Sequence, residues 1–244
     1  MNIANESAIL AARRNSKSIS NQDVTDAFER VAIGPERKNK IMNEQEKEIS
    51  AYHEAGHALV GHVMPLSDPI HKVTIIPRGG TGGVTWAIPP EDKSYHSINE
   101  YKDVLARILG GRMAEKAVYG DDNVTTGAGN DLKKAAELAR EMVIEQGMGR
   151  DELRHMVFNA DQQSGMMFDR MVHDRPYSDD TAKVIDREVE WLVHESAERA
   201  EAVINANKPY LKALAERLLE VETVDESVVK EVFTGTKLPE SAKI

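Results

Sequence analysis

Apolar residues recur at three- and four-residue steps along most of the chain, a period that predicts helices with one buried face. In the last third, Ile185, Val189, Leu192, Ala200 and Val203 fall on one stripe, and Leu211, Leu214 and Leu218 resume it after Pro209. Tyr101, Val104, Leu105, Ile108 and Leu109 form another stripe behind Ser97, a capping residue. A further helix spans about Asn130 to Gln146 and stops at Gly147, and two short ones open the chain. These cover Asn2–Asn15 and a segment from the cap Ser20 through Val31 to the breaker Gly34-Pro35. The period changes only at two β-branched runs, Lys72–Pro77 and Gly83–Ile88, separated by Arg78-Gly79-Gly80-Thr81-Gly82. They read as a hairpin with a long glycine-rich loop. The expected fold class is therefore mainly α with a small β-sheet. Residues 36–48 are dense in both charges and read as a connector, and residues 148–180 are polar and read as a long loop.

Composition narrows the chemistry. The 244 residues carry a net charge of −10, which argues against a broad phosphate-binding face and hence against a nucleic-acid partner. Cysteine is absent, so disulfides, thiolate zinc sites and cysteine nucleophiles are excluded, and any metal must be held by His, Asp or Glu. No apolar run is long enough to span a bilayer, so any membrane contact would come from segments outside this chain. No GxxxxGK[ST] phosphate loop occurs, which leaves no P-loop site for ATP.

The helix read at about Glu44 to Met64 contains His53-Glu54-Ala55-Gly56-His57, an HExxH motif. Residues four apart on a helix lie roughly 40° apart around its axis, so both imidazoles project from one face and can share a zinc ion. Glu54, one position on, can reach a water on that metal. Gly56 inside a helix costs about 1 kcal/mol unless its missing side chain makes room for something. Gly110-Gly111 poses the same question and predicts a close backbone approach.

Two histidines do not complete a catalytic zinc site, which has three protein ligands and an open position. His62 is five residues past His57 and faces away, and His71, His96, His155, His173 and His194 stand alone. Two carboxylates remain as candidates for the third ligand. Asp131 follows Thr125-Thr126-Gly127-Ala128-Gly129-Asn130 at the mouth of a helix, where an acid would also complement the helix dipole. Glu115 ends Gly110-Gly111-Arg112-Met113-Ala114-Glu115. Spacing does not choose between them.

The order of these motifs resembles the peptidase domain of the FtsH family, membrane-anchored ATP-dependent zinc proteases. The resemblance rests on HEAGH, then Lys72–Gly79, Gly110-Gly111-Arg112, Thr125-Thr126-Gly127 and Asn130-Asp131-Leu132. It continues through Tyr177-Ser178, Ile185-Asp186 and Glu188-Val189 to Leu219-Glu220 and Thr223. It implies a helical zinc metallopeptidase fold of the FtsH type, with one zinc ion held by His53, His57 and Asp131 and with Glu54 as general base. By it, Glu115 matches a family glutamate of the G-G-R-x-A-E stretch that either supports the ligands from behind or is structural. Asn5-Glu6 and Ala11–Arg14 look like the end of the family's ATPase lid, so the expected division is 1–34 lid remnant, 35–234 metallopeptidase and 235–244 disordered tail. The implied parent is a homohexamer on the cytoplasmic side of the inner membrane that degrades unfolded polypeptides, with ATP bound only outside this chain. Gln146, where relatives often carry an aromatic, and the glycine-rich Gly79–Gly83 loop depart from the family pattern. A silent assembly module and a zinc aminopeptidase are the alternative functions.

Overall fold

The computed structural model describes residues 2–32, 34–35, 42–78, 81–89, 93–158 and 177–244. Helices α1 (Ile3–Arg13) and α2 (Asn21–Ala32) are followed by α3 (Glu44–Val63), strands β1 (Ile70–Thr74) and β2 (Val84–Ala87), and α4 (Ile98–Tyr119). Then come α5 (Gly129–Ile144), α6 (Asp179–Ala206), α7 (Lys208–Val221), β3 (Thr223–Asp225) and α8 (Glu226–Val232). The mainly α class with a small sheet is as the periodicity predicts.

Helices α3 and α4 each begin with a reciprocal cap. Asn43 accepts the Glu46 backbone N–H at 2.7 Å while the Glu46 carboxylate accepts that of Asn43 at 3.1 Å. Ser97 and Glu100 repeat the arrangement at the start of α4. Each box satisfies two backbone donors that a helix start leaves without partners. At its far end α3 stops at Met64, whose backbone is extended because Pro65 disfavours the helical conformation in the residue before it.

The two β-branched runs pair antiparallel, with Val73 opposite Thr85 and Thr74 opposite Val84. A third strand, unforeseen from the sequence, pairs with the other edge of β1 and places Val73 opposite Val224. The sheet order is β2-β1-β3.

Burial divides into two apolar clusters joined through α4 and α6. One gathers Leu59 and Val60 of α3, Val73 of β1, Ile204 of α6, and Leu211, Leu214 and Leu218 of α7 around Phe233. The other packs Leu105 and Leu109 of α4 on Ala135, Ala139, Met142 and Val143 of α5 and on Ile185 and Leu192 of α6. The stripes read from the sequence are these buried faces. Between the clusters the Arg199 guanidinium meets the Asp103 carboxylate in a fully buried ion pair, and Asp103 also accepts the Leu66 N–H at 3.0 Å.

The α1–α2 hairpin is pinned internally by Arg14 to Asp23 and Arg30 to Glu6. It rests on the sheet through a stack of Phe28 on Trp86, ring centroids 5.2 Å apart, and through Glu29, which pairs with both Lys72 and Arg78.

Residues 235–244 differ from the disordered tail expected of them. The Asn207 side chain clasps Lys237 through two hydrogen bonds of 2.8 Å, amide to carbonyl and carbonyl to amide. Arg199 Nε then donates to the Ala242 carbonyl at 2.9 Å, and Ala242 is fully buried. A side chain of α6 and that of its capping residue thus fix a segment whose own sequence carries no period. Part of the charged connector, the centre of the glycine loop, His173 and most of the long polar loop (159–176) lie outside the described residues.

Candidate metal centre

Helices α3 and α4 run antiparallel in direct backbone contact. Arg107 meets Gly61 and His57, Gly110 meets Gly56, and Glu115 meets His53, so position falls along one helix as it rises along the other. A Cβ on Gly56 would lie 2.5 Å from the Gly110 carbonyl oxygen, and one on Gly110 would lie 2.7 Å from that of Gly56. Neither tolerates a side chain, which answers why two helices accept glycine in mid-span. Gly111 serves the site itself: its Cβ would fall 2.6 Å from Nε2 of both His53 and His57.

The two histidines are oriented from behind. His53 Nδ1 lies 2.7 Å from Glu115 Oε1, and Glu115 Oε2 accepts the Thr125 N–H at 2.7 Å. His57 Nδ1 lies 2.8 Å from the Arg107 carbonyl. Both of these partners are acceptors and favour the proton on Nδ1. The shorter bond to the Arg107 carbonyl outweighs the 3.3 Å approach of the Gly111 N–H to His57 Nδ1, so each ring turns Nε2 to the cleft. Asp131, in the first turn of α5, enters from the other side. Its Oδ2 is 3.2 Å from His53 Nε2 and 3.4 Å from His57 Nε2, and the two Nε2 atoms are 3.0 Å apart.

Three donor atoms therefore converge, an arrangement that a cation completes once it displaces any proton held among them. Donors about 2.0–2.1 Å from a tetrahedral zinc ion stand roughly 3.3 Å from one another, close to the edges of this triangle. The donor set, two imidazoles and a carboxylate, suits zinc. The same anionic surroundings act on protons. Burial opposes charge on His53, but its hydrogen bonds to Asp131 and Glu115 outweigh that and push the imidazole up to about 10. Burial likewise raises Asp131, and the bonds to the two histidines overcome it and hold the carboxyl far below the usual range.

Glu54 is buried beside the triangle. The Thr85 hydroxyl of β2 lies 2.7 Å from its Oε2 and 2.9 Å from its backbone carbonyl. Gly83 leaves the space for that carboxylate, since a Cβ there would sit 2.8 Å from Oε1. All of these groups line one cleft of about 620 Å³ that runs from Ile49 and Ser50 past the triangle to Arg107 and Ile108.

Every site residue expected from the sequence is therefore in this cleft. His53, His57 and Asp131 come together, and they are the one such donor group among the described residues. Glu115, the other candidate ligand, lies behind His53 instead. Sequence reasoning missed Thr85 and the Arg107 carbonyl, neither of which carries a local signal.

A fold of this class around such a donor set is a zinc metallopeptidase domain, and the profile of peptidase family M41 matches residues 40–232. The chain belongs to that family, whose peptidase domain FtsH proteins carry. It is similar to ATP-dependent zinc metalloprotease FtsH 3 of Synechocystis sp., 48% identical over 228 residues that cover 92% of this chain and 37% of that protein. It is 43% identical over 238 residues to ATP-dependent zinc metalloprotease FtsH of Synechococcus sp., covering 97% of this chain and 37% of the relative. The protein of the same name from Rubrobacter xylanophilus is 45% identical over 226 residues, covering 92% and 34%. The chain spans little more than a third of the length of these curated relatives.

Proposed function

We propose that this chain is the endopeptidase core of a larger ATP-dependent protease, with His53, His57 and Asp131 as the ligands of one zinc ion and Glu54 as the general base. The observation that carries the reading is the triangle of Nε2, Nε2 and Oδ2 donors with a buried carboxylate beside it. Zinc bound there would lower the pKa of a water molecule and polarise the scissile carbonyl. Glu54 takes the proton of the attacking water and returns it to the leaving amine. Thr85 holds Oε2, which leaves Oε1 for that exchange.

Strand β2 pairs with β1 along one edge, and among the described residues its other edge has no partner strand. An extended peptide adds there through main-chain hydrogen bonds, which suits unfolded substrates of many sequences. The parent protein is further proposed to be a homohexamer anchored on the cytoplasmic side of the inner membrane. ATP would be hydrolysed in an ATPase module whose nucleotide site lies outside this chain and whose lid ends in residues 1–34. The relatives' names and their greater length support the ATPase assignment. No helix of the described residues is long and apolar enough to cross a membrane.

The test is cleavage of an unfolded, end-blocked polypeptide with zinc added or chelated. Glu54→Gln is expected to keep zinc and lose cleavage, whereas Asp131→Ala is expected to lose zinc. Undiminished turnover in Glu54→Gln removes the base assignment, and cleavage confined to peptides with a free N-terminus makes the enzyme an aminopeptidase.

A further inference from the structure

At the end of the cleft beyond His57, Arg107 stands out among the cations. Lys134, at the other side of the metal triangle, already has Asp131 Oδ1 at 3.6 Å. The Arg107 guanidinium makes no hydrogen bond and no ion pair among the described residues, and its Nε is shut off from solvent with no acceptor. An unpaired charge that is partly removed from water is unfavourable for folding, and a protein keeps one where a ligand neutralises it. Burial depresses its pKa, and the field of Asp68 offsets this only in part.

The placement is built by the surrounding structure. The arginine stem crosses α3 at Gly61, where a Cβ would lie 2.8 Å from Arg107 Cδ and 2.8 Å from Ile70 Cδ1. Its backbone is fixed through the bond from His57 Nδ1 to the Arg107 carbonyl. Arg107 is among the residues that line the cleft of the metal donors, and its stem lies one helical turn of α3 past His57.

We propose that Arg107 is a specificity-determining residue, forming a subsite for a peptide carboxylate and favouring substrates with Asp or Glu at the position that lies beyond His57. The inference rests on the peptidase reading and names a substrate class for it. A guanidinium meets a carboxylate through two parallel hydrogen bonds, and withdrawal from water strengthens them.

The experiment uses the full chain loaded with zinc and a set of end-blocked peptides that differ only in Glu, Gln, Ala or Lys at each position around one scissile bond. The expected result is a kcat/KM about 10- to 100-fold higher for Glu than for Gln at one position. In Arg107→Met that ratio falls to near one while cleavage of the Gln and Ala peptides is kept, and Arg107→Lys restores part of it. Peptides with free or amidated C-termini separate a terminal carboxylate from a side chain, and a gain confined to the free terminus overturns the side-chain assignment.

Binding is read independently of turnover. In a Glu54→Gln background the Glu peptide is expected to bind more tightly than the Gln peptide, and Arg107→Met to abolish the difference. This arm stands even if no peptide is cut, a result that would count against the peptidase reading alone. Thermal unfolding gives a further readout: removing an unpaired cation leaves stability unchanged or raises it, whereas a structural role predicts a fall. Equal losses on all four peptides in Arg107→Met, or no difference in binding, overturn the proposal.

Discussion

The Thr85 hydroxyl of the edge strand sits 2.7 Å from the Glu54 carboxylate of α3, so a β-strand fixes the orientation of a helical side chain next to the metal donors. Its single proton serves either Oε2 or the Glu54 backbone carbonyl. Thr85→Val keeps the shape and removes the donor. It is expected to lower kcat by roughly 10-fold with zinc content unchanged, because a misaligned base loses proton-transfer efficiency. Thr85→Ser should recover most of the loss, and a fall in zinc content instead would show that the strand supports the metal rather than the base.

Glu115 orients His53 without reaching the triangle. Partners of this kind typically affect metal affinity by about 10- to 100-fold. Glu115→Gln should therefore weaken zinc binding by that order, and Asp131→Ala by more. Competition with a calibrated chelator gives both values, and equal losses would place the two carboxylates on the same footing.

Gly111 offers a separation of site from fold. Alanine there would push a methyl group into both Nε2 atoms. Gly111→Ala is expected to abolish zinc binding with the helical circular dichroism retained. Gly56→Ala, which wedges backbone against backbone, should destabilise the whole domain by about 1–3 kcal/mol or more. Denaturant titration beside metal analysis distinguishes the two.

The α4 cap predicts an acid-sensitive stability. Hydrogen bonds from Lys93 and from the Ser97 backbone hold the Glu100 carboxyl at about 2, below its ordinary 4.5. A carboxyl with a depressed folded-state pKa contributes stability above the unfolded value, and that contribution is lost as pH falls through the folded one. Between pH 4.5 and 2 the wild type should lose stability faster than Glu100→Gln, and denaturation midpoints across that window would test it. Parallel curves would mean the cap is not linked to protonation.

The buried Arg199–Asp103 pair makes an asymmetric prediction. Arg199→Met strands a carboxylate in the core and is expected to cost about 3–5 kcal/mol, whereas replacing both residues with apolar ones of similar volume should cost much less. A double-mutant cycle reads the difference, and additive losses would argue that packing alone matters there.

Legibility from sequence followed distance along the chain. The HExxH pair was readable because both imidazoles belong to one helical turn. Gly56 and Gly110-Gly111 announced a close approach because glycine in mid-helix is otherwise unfavourable. What spacing left open was the choice between Asp131 and Glu115, since both lie far from His53 in sequence and only the antiparallel crossing of α3 and α4 sends Glu115 to the Nδ1 side. Thr85 looks like any residue of an alternating strand. Strand β3 has three residues, too few to show a period, and it forms because Thr223–Asp225 meets the free edge of β1. The terminal residues carry no pattern of their own and are ordered by Asn207 and Arg199.

The contact between Gly56 and Gly110 has a consequence for how the site fails. Two touching main chains set how the helix that bears both histidines sits against the one that supplies their Nδ1 partners, and main chains have no rotamers with which to readjust. The orientation of the two imidazoles is therefore a rigid-body property of the helix pair, to which α5 adds Asp131. Metal release on heating should coincide with global melting rather than precede it, so occupancy of the site reports the integrity of the whole crossing.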